Sequence, residues 1–296
     1  MTWGAEEASG MKAYNCPSCG AQLICDATTA ATSCPYCGNP TIVPGQFSGG
    51  LKPELLIPFK LDKQAAIQAL KEYYKGKKFL PKTFRDQNHI QEIQGVYVPF
   101  WLCDCRVDGS ATFHATTSRT WKEGDYEITE TKHYQVDRSG QIGFRQIPVD
   151  ASTKMPDAHM DAIEPYDYSE LREFSTAYLP GFLADKYDVS QQESLSRLEV
   201  RAKNSAAMEL RGTVKGYETV ETKKRDLYLT QSNMKYALMP VWVLSTKWND
   251  QNFLFAMNGQ TGKLVGDLPI DKGKYFAWFA GIAALMLLIQ LGFWFL

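Results

Sequence analysis

A five-residue pattern occurs twice near the start of this chain: CPSCG from Cys16 and CPYCG from Cys34, with fourteen residues between the inner cysteines. Two residues between paired cysteines allow one tight turn to aim both thiolates at a single ion. Two such turns supply four soft ligands at about 2.3 Å, the set that a tetrahedral zinc site requires. Gly20 and Gly38 follow each pair. Glycine there tolerates positive φ, so backbone N–H groups can turn toward the sulfurs and offset their charge. Pro17 and Pro35 stiffen the same turns. The intervening AQLICDATTAATS is long enough for a short hairpin. The spacing therefore predicts a zinc ribbon over residues 1–45, with Cys16, Cys19, Cys34 and Cys37 holding one structural Zn2+. A rubredoxin-like iron site is the alternative. Four thiolates leave no open coordination position, so the metal is expected to be structural. Cys25 lies outside the pattern and reads as a small buried residue.

The seven cysteines, an odd number, argue against a disulfide framework and for a reducing compartment. The acidic, polar N-terminus MTWGAEEASG does not read as a secretory signal. Many ribbons bind nucleic acid through basic side chains that release counterions. Here Lys12 is the single basic residue of the first fifty, against Glu6, Glu7 and Asp26, and the net charge of the chain is −1. No nucleic-acid partner is expected from that balance.

At the other end, residues 275–296 carry no charge. At about 1.5 Å per residue such a helix matches a hydrocarbon core of about 30 Å. Tyr275, Phe276 and Trp278 mark one interface, and Phe293, Trp294 and Phe295 the other. Apolar residues cover every face, unlike an amphipathic core helix. Lys272 and Lys274 precede the run, which predicts a single-pass anchor with the preceding body in the cytoplasm.

Between the two ends, PGQFSGG reads as a linker centred on 46–50, expected to isolate the ribbon from a body over 51–271. Asp62 is placed to cap a helix running to Gly76, with Ile67, Leu70 and Tyr74 on one face. Ser190 and Glu193 form a capping box that opens a longer helix to about Arg211. The runs VYVPFWLCDCRV, SATFHATT, DYEITETKHYQV and QIGFRQIPV read as four strands, with DRSG as the turn joining the last two. TVKGYETV, DLYLT, YALMPVWVLSTKW and FLFAMN follow as further strands. The fold class is α+β with antiparallel sheets. Residues 98–115 align without gaps to 239–256, both with Pro-x-Trp, which suggests two related halves.

No catalytic constellation emerges, and the chain is not expected to be an enzyme. His89, His114, His133 and His159 are scattered in sequence, and no GxSxG, P-loop or GxGxxG pattern occurs. Cys103 and Cys105 alternate onto one strand face with Tyr97 and Trp101 and read as buried thiols. Lys223–Arg225 and DAIEPYDYSE read as solvated segments.

Taken together, CPSCG…CPYCG, GVYVPFWL, DGSATFHAT, DAIEPYDYSEL, AYLPGFLADKYDV, LMPVWVLSTKW and FAMNGQTGKLVGDLPIDKGK resemble a bacterial, mostly Gram-positive family labelled TFIIB-type zinc ribbon-containing protein. The resemblance covers nearly the whole chain. It implies that the four ribbon cysteines are zinc ligands. It also implies a setting in membrane stress, with an SPFH-domain protein or a phage-shock-protein-A-like protein as partner. The expected function is a membrane-anchored cytoplasmic adaptor that contacts lipid and positions proteins at the inner face. A membrane-tethered nucleic-acid-binding ribbon protein is the alternative.

Overall fold

Strands that the sequence breaks into pieces run on without interruption in the structure, a computed structural model that describes residues 2–29, 33–40, 42–45, 51–87 and 90–294. In chain order the elements are α1 (Ala5–Ser9), β1 (Met11–Asn15), β2 (Gln22–Asp26), β3 (Val43–Gly45), β4 (Leu55–Leu56), α2 (Lys63–Tyr74), α3 (Lys82–Gln87), β5 (Gln94–Glu123), β6 (Tyr126–Asp150), α4 (Asp157–Ala162), β7 (Arg172–Glu173), β8 (Leu183–Asp185), α5 (Gln191–Gly212), β9 (Thr219–Trp248), β10 (Gln251–Asn258), β11 (Leu264–Gly266) and α6 (Lys272–Trp294). The expected linker at 46–50 lies outside the described residues.

All strands join one sheet in the order β11-β10-β9-β5-β8-β2-β1-β3. Strand β6 lies along the outer part of β5, and β4 sits beside β9 and β7. Its spine is the antiparallel β5–β9 ladder, from Gln94 opposite Val243 to Thr116 opposite Thr219. The sheet is mixed rather than antiparallel throughout, because β8 runs parallel to β5 and β4 parallel to β9.

Burial along β5 explains its position. From Gly95 to Cys103 every residue is buried, as in a strand covered on both faces. Val96, Val98, Phe100 and Leu102 enter a core shared with the ribbon, whereas Tyr97, Trp101, Cys103, Val107, Ala111 and Phe113 face the core beneath α5. From Asp104 onward, polar residues alternate with the buried ones, so one face is left toward solvent. Helix α5 meets the sheet through Leu198, Ala202, Ala206 and Leu210, spaced four apart along one stripe. The two alanines let the helix approach closely. Burying each large side chain in these cores contributes about 1.5–3 kcal/mol.

Local chain signals hold at the helices. Asp62 accepts a hydrogen bond from the Ala65 N–H and starts α2, which buries Ala66, Ile67, Leu70 and Tyr74. Ser190 and Glu193 form the expected capping box of α5. The predicted DRSG turn does not form. Gly140 pairs with Gly109 in the middle of the β5–β6 ladder, and the chain reverses instead at 124–125, between Glu123 and Tyr126. The aligned segments 98–115 and 239–256 meet at one point, where Val98 pairs with Met239. Beyond Trp248 the second segment turns back into β10, whereas β5 continues to Glu123.

Gly109 has φ +150, and a Cβ there would lie 1.9 Å from the Asp226 carbonyl oxygen on β9. Gly109→Ala is therefore expected to destabilise the protein by about 3 kcal/mol through forced separation of the central strands. Gly140→Ala, across the ladder and facing open space, is expected to cost less than about 1 kcal/mol. Urea midpoints of the two variants check this. Equal midpoints would show that the close approach of β5 and β9 carries no energetic weight.

Helix α6 is long and apolar enough to cross a membrane. Its side chains are exposed from Tyr275 to Leu291. At its foot the Asp271 N–H donates to the Phe79 carbonyl at 2.8 Å, and Lys274 Nζ donates to the Leu80 carbonyl at 3.0 Å.

Candidate metal centre

Each CxxC segment folds into the same small loop. The Gly20 N–H donates to the Cys16 carbonyl and the Gly38 N–H to the Cys34 carbonyl, both at 2.9 Å. The two glycines have φ +71 and φ +68, so the positive φ expected after each pair is present. The loops face one another. Cys16 Sγ lies 3.6 Å from Cys37 Sγ, and Cys19 Sγ lies 3.6 Å from Cys34 Sγ. All four sulfurs fall within 4.8 Å of one another. A tetrahedron with bonds of about 2.3 Å has edges of about 3.8 Å, so the four sulfurs are arranged to hold a metal ion. Cys16 and Cys34 are buried, while Cys19 and Cys37 are half-buried.

Electrostatics at the sulfurs follow from the loops. Burial opposes ionisation of Cys16, but the backbone N–H groups of Cys19 and Ser18 and the thiols of Cys37 and Cys19 outweigh it and bring the thiol down to about 7. Burial pushes Cys19 up to about 11 and raises Cys34. Without a cation this cluster resists carrying four negative charges. A divalent ion removes that penalty, and the thiols release protons as it binds.

The site is built into the sheet. In β2, Leu23 pairs with Asp185 and Ile24 with Ala184 of β8. The Gly181 N–H donates to Thr29 Oγ1 at 2.9 Å, and Gln94 Nε2 donates to Ser33 Oγ at 2.8 Å. Cys16, Leu23, Cys25, Cys34 and Tyr36 share one apolar core with Val96, Val98 and Phe100 of β5. The isolation expected of the ribbon is thus replaced by a common core.

The chain is 40% identical to the Uncharacterized protein YdjG of Bacillus subtilis (strain 168), over 91% of this chain and 94% of that one. It belongs to the YdjG family. No protein-family model matches the chain. No solved structure matches it either.

The other sequence-selected residues of this YdjG-family chain occupy different places. Cys25 is buried and donates to the Thr29 carbonyl at 3.3 Å, outside the cluster of four. Cys103 and Cys105 lie in the core beneath α5 with Tyr97 and Trp101, as the alternation predicted. Burial pushes the Cys103 thiol up to about 12. The acidic DAIEPYDYSE segment is less free than expected. Arg197 and Arg201 of α5 hold Asp161 at 2.6 and 2.8 Å, and Arg201 holds Glu164 at 2.7 Å. Guanidinium groups thereby take the place that a cation would need. Lys223 and Lys224 are exposed on β9 and pair with Glu221 and Asp226. His114 and His133, far apart in sequence, stack across the β5–β6 ladder with Nδ1 of His133 3.1 Å from Nε2 of His114. Only the register brings them together. His89 lies outside the described residues.

One buried group carried no local signal. Asp185 of β8, 2% exposed, accepts a hydrogen bond from Ser152 Oγ at 2.7 Å, where the ribbon meets the body. Burial raises its carboxyl to about 7, against the opposing pull of the Ser152 and Tyr36 hydroxyls. The folded value lies above the ordinary 3.8. The stabilisation is therefore fully present below the unfolded value and is lost as pH rises through the folded one. Asp185→Asn keeps an acceptor for Ser152 and cannot ionise. Between about pH 5 and pH 8 the wild type is expected to lose about 2 kcal/mol relative to this variant. Paired urea titrations check the difference, in which any metal contribution common to both proteins cancels. A gap that stays constant with pH would show that Asp185 is ionised throughout.

Proposed function

We propose that this chain is a membrane-anchored scaffold. In this reading one structural zinc ion, held by Cys16, Cys19, Cys34 and Cys37, locks the ribbon into the sheet. Helix α6 holds the whole at the inner face of the cell membrane as a single span, and the body positions protein partners there. The observation that carries the reading is the exposure of α6 from Tyr275 to Leu291, which leaves an apolar helix with its whole surface to cover. In water such a helix is costly, and a bilayer covers every face at once. Lys272 and Lys274 at its foot support a cytoplasmic body. Four thiolate ligands support a structural metal rather than a catalytic one. The scarcity of basic residues in the ribbon supports a protein partner over nucleic acid. The family resemblance points to an SPFH-domain or phage-shock-protein-A-like protein. The antiparallel meeting of Val98 with Met239 supports, as part of the same proposal, a body descended from two related halves.

Crosslinking in intact cells, followed by detergent extraction and mass spectrometry, tests the scaffold. The expected result is a recurrent protein partner that is captured with the full chain and lost when 272–296 is deleted. Capture of nucleic acid, without a recurrent protein, would overturn the reading in favour of a tethered nucleic-acid-binding ribbon. Protease added outside intact spheroplasts is expected to leave the ribbon uncut. Cleavage there would overturn the orientation.

A further inference from the structure

The loop that follows α2 is brought against the base of α6 from nearly two hundred residues away in sequence. Lys274 Nζ donates to the Leu80 carbonyl at 3.0 Å, and the Asp271 N–H donates to the Phe79 carbonyl at 2.8 Å. The Phe79 ring meets Tyr275 edge-on at 5.8 Å, and Lys78 Nζ lies 4.6 Å from the centre of the Trp278 ring. Trp278 is six residues into α6, about 9 Å along its axis. If α6 enters a bilayer at its ring of Tyr275, Phe276 and Trp278, this loop reaches the headgroup level with it.

The composition of this corner is one-sided. Residues 71–82 and 268–278 hold Lys71, Lys75, Lys77, Lys78, Lys82, Lys272 and Lys274 against two carboxylates, Glu72 and Asp271. Both carboxylates are already engaged, Glu72 by Lys75 at 2.6 Å and Asp271 by Lys274 at 3.4 Å. The local surplus is five positive charges in a chain whose net charge is −1. Lys71, Lys75, Lys77, Lys78, Lys82 and Lys272 are exposed. Among them Phe79, Leu80, Leu268, Pro269 and Ile270 line an apolar hollow, and Ile270 is 64% exposed. Lysines around exposed apolar side chains, at the base of an apolar helix, match the boundary between headgroups and acyl chains.

We propose that Lys75, Lys77, Lys78 and Lys82, together with Lys272, form a binding surface for anionic phospholipid headgroups in the leaflet where α6 enters. This inference rests on the membrane-anchor reading of α6. The span inserts the protein, and the lysine surface then sets how the sheet stands on the bilayer and which lipids gather beneath it. A lysine near an anionic surface gains about fivefold in surface affinity, and that gain is screened by salt.

The test uses the full chain in nanodiscs, one set of neutral phosphatidylcholine and one containing phosphatidylglycerol, with lysine acetylation rates read by mass spectrometry. The expected result is that Lys75, Lys77, Lys78 and Lys82 react about fivefold more slowly in the anionic discs. Lys223 and Lys224 on β9 should react alike in both, and high salt should abolish the difference. A Lys75→Gln, Lys77→Gln, Lys78→Gln variant is expected to insert normally and to lose the effect at Lys82 and Lys272. Equal rates in the two discs, with the protein inserted, would overturn the lipid surface and leave the anchor intact. The same slowing by inorganic phosphate in neutral discs would also overturn it, in favour of a free-anion site. Failure of the wild type to enter either disc would overturn the anchor and this inference together.

Discussion

Cys16→Ser is expected to strip the metal from the ribbon and to loosen the body with it. Removing one of four ligands leaves three crowded thiols, and burial resists the ionisation of two of them, Cys19 and Cys34. Apparent binding free energies for structural zinc sites are about 10–16 kcal/mol, as large as the whole stability of an ordinary domain. A ribbon of this size has too little core to stay folded without that contribution. A separate ribbon would unfold alone. Here Leu23 and Ile24 pair with Asp185 and Ala184, and Leu23, Cys34 and Tyr36 pack with Val96, Val98 and Phe100. Loss of the ribbon would uncover β8 and one face of β5. Metal analysis should therefore fall from one ion per chain to none. Hydrogen exchange should rise at Ala184 and Asp185, and also at Val96 and Tyr97. If the metal is lost while exchange at those four positions is unchanged, the shared core is energetically irrelevant and the ribbon is an independent module.

Leu285→Arg combined with Leu288→Arg is expected to release the protein from membranes. Each arginine near the centre of a span costs about 2.5–3.5 kcal/mol on the insertion scale. Both leucines are exposed, 59% and 67%, so the substitutions remove no contact that holds the body together. The body, the four cysteines and the lysine contacts at the base of α6 should survive. Flotation with liposomes should show loss of membrane association, while metal content and the exchange pattern of β5 and β9 stay at wild-type levels. A double variant that still floats with liposomes would exclude α6 as the anchor. One that loses its metal would show that α6 packs on the body in water.

Features written in short stretches of chain were legible. The spacing of Cys16, Cys19, Cys34 and Cys37 with Gly20 and Gly38 encodes loops whose geometry is set by neighbouring residues, and the four sulfurs converge as that spacing requires. Asp62 and Ser190 cap their helices because a cap needs only the next three residues. The length and uniform apolarity of α6 are properties of composition.

The strands show where local reading stops. DRSG looks like a turn, yet Gly140 faces Gly109 inside a ladder closed only at 124–125. A turn signal is a preference of a few residues. Pairing on both sides, with β6 on one edge of β5 and β9 on the other, overrides it with hydrogen bonds to distant chain. The parallel contacts of β8 with β5 and β4 with β9 are likewise products of packing, as short strands fill gaps left by the long ladder.

By itself, then, the amino-acid sequence determined the cluster of four cysteines, the two capped helices, the apolar C-terminal helix and the alternation that buries Cys103 and Cys105. Each follows from a periodicity or a spacing within a few turns of chain. Only the tertiary structure decided that the ribbon shares its core with the body, that Asp185 is buried where they meet, that His114 stacks on His133, and that Lys78 lies over Trp278. Those four depend on strand register and on which surfaces exclude water together, and neither is a property of any one segment.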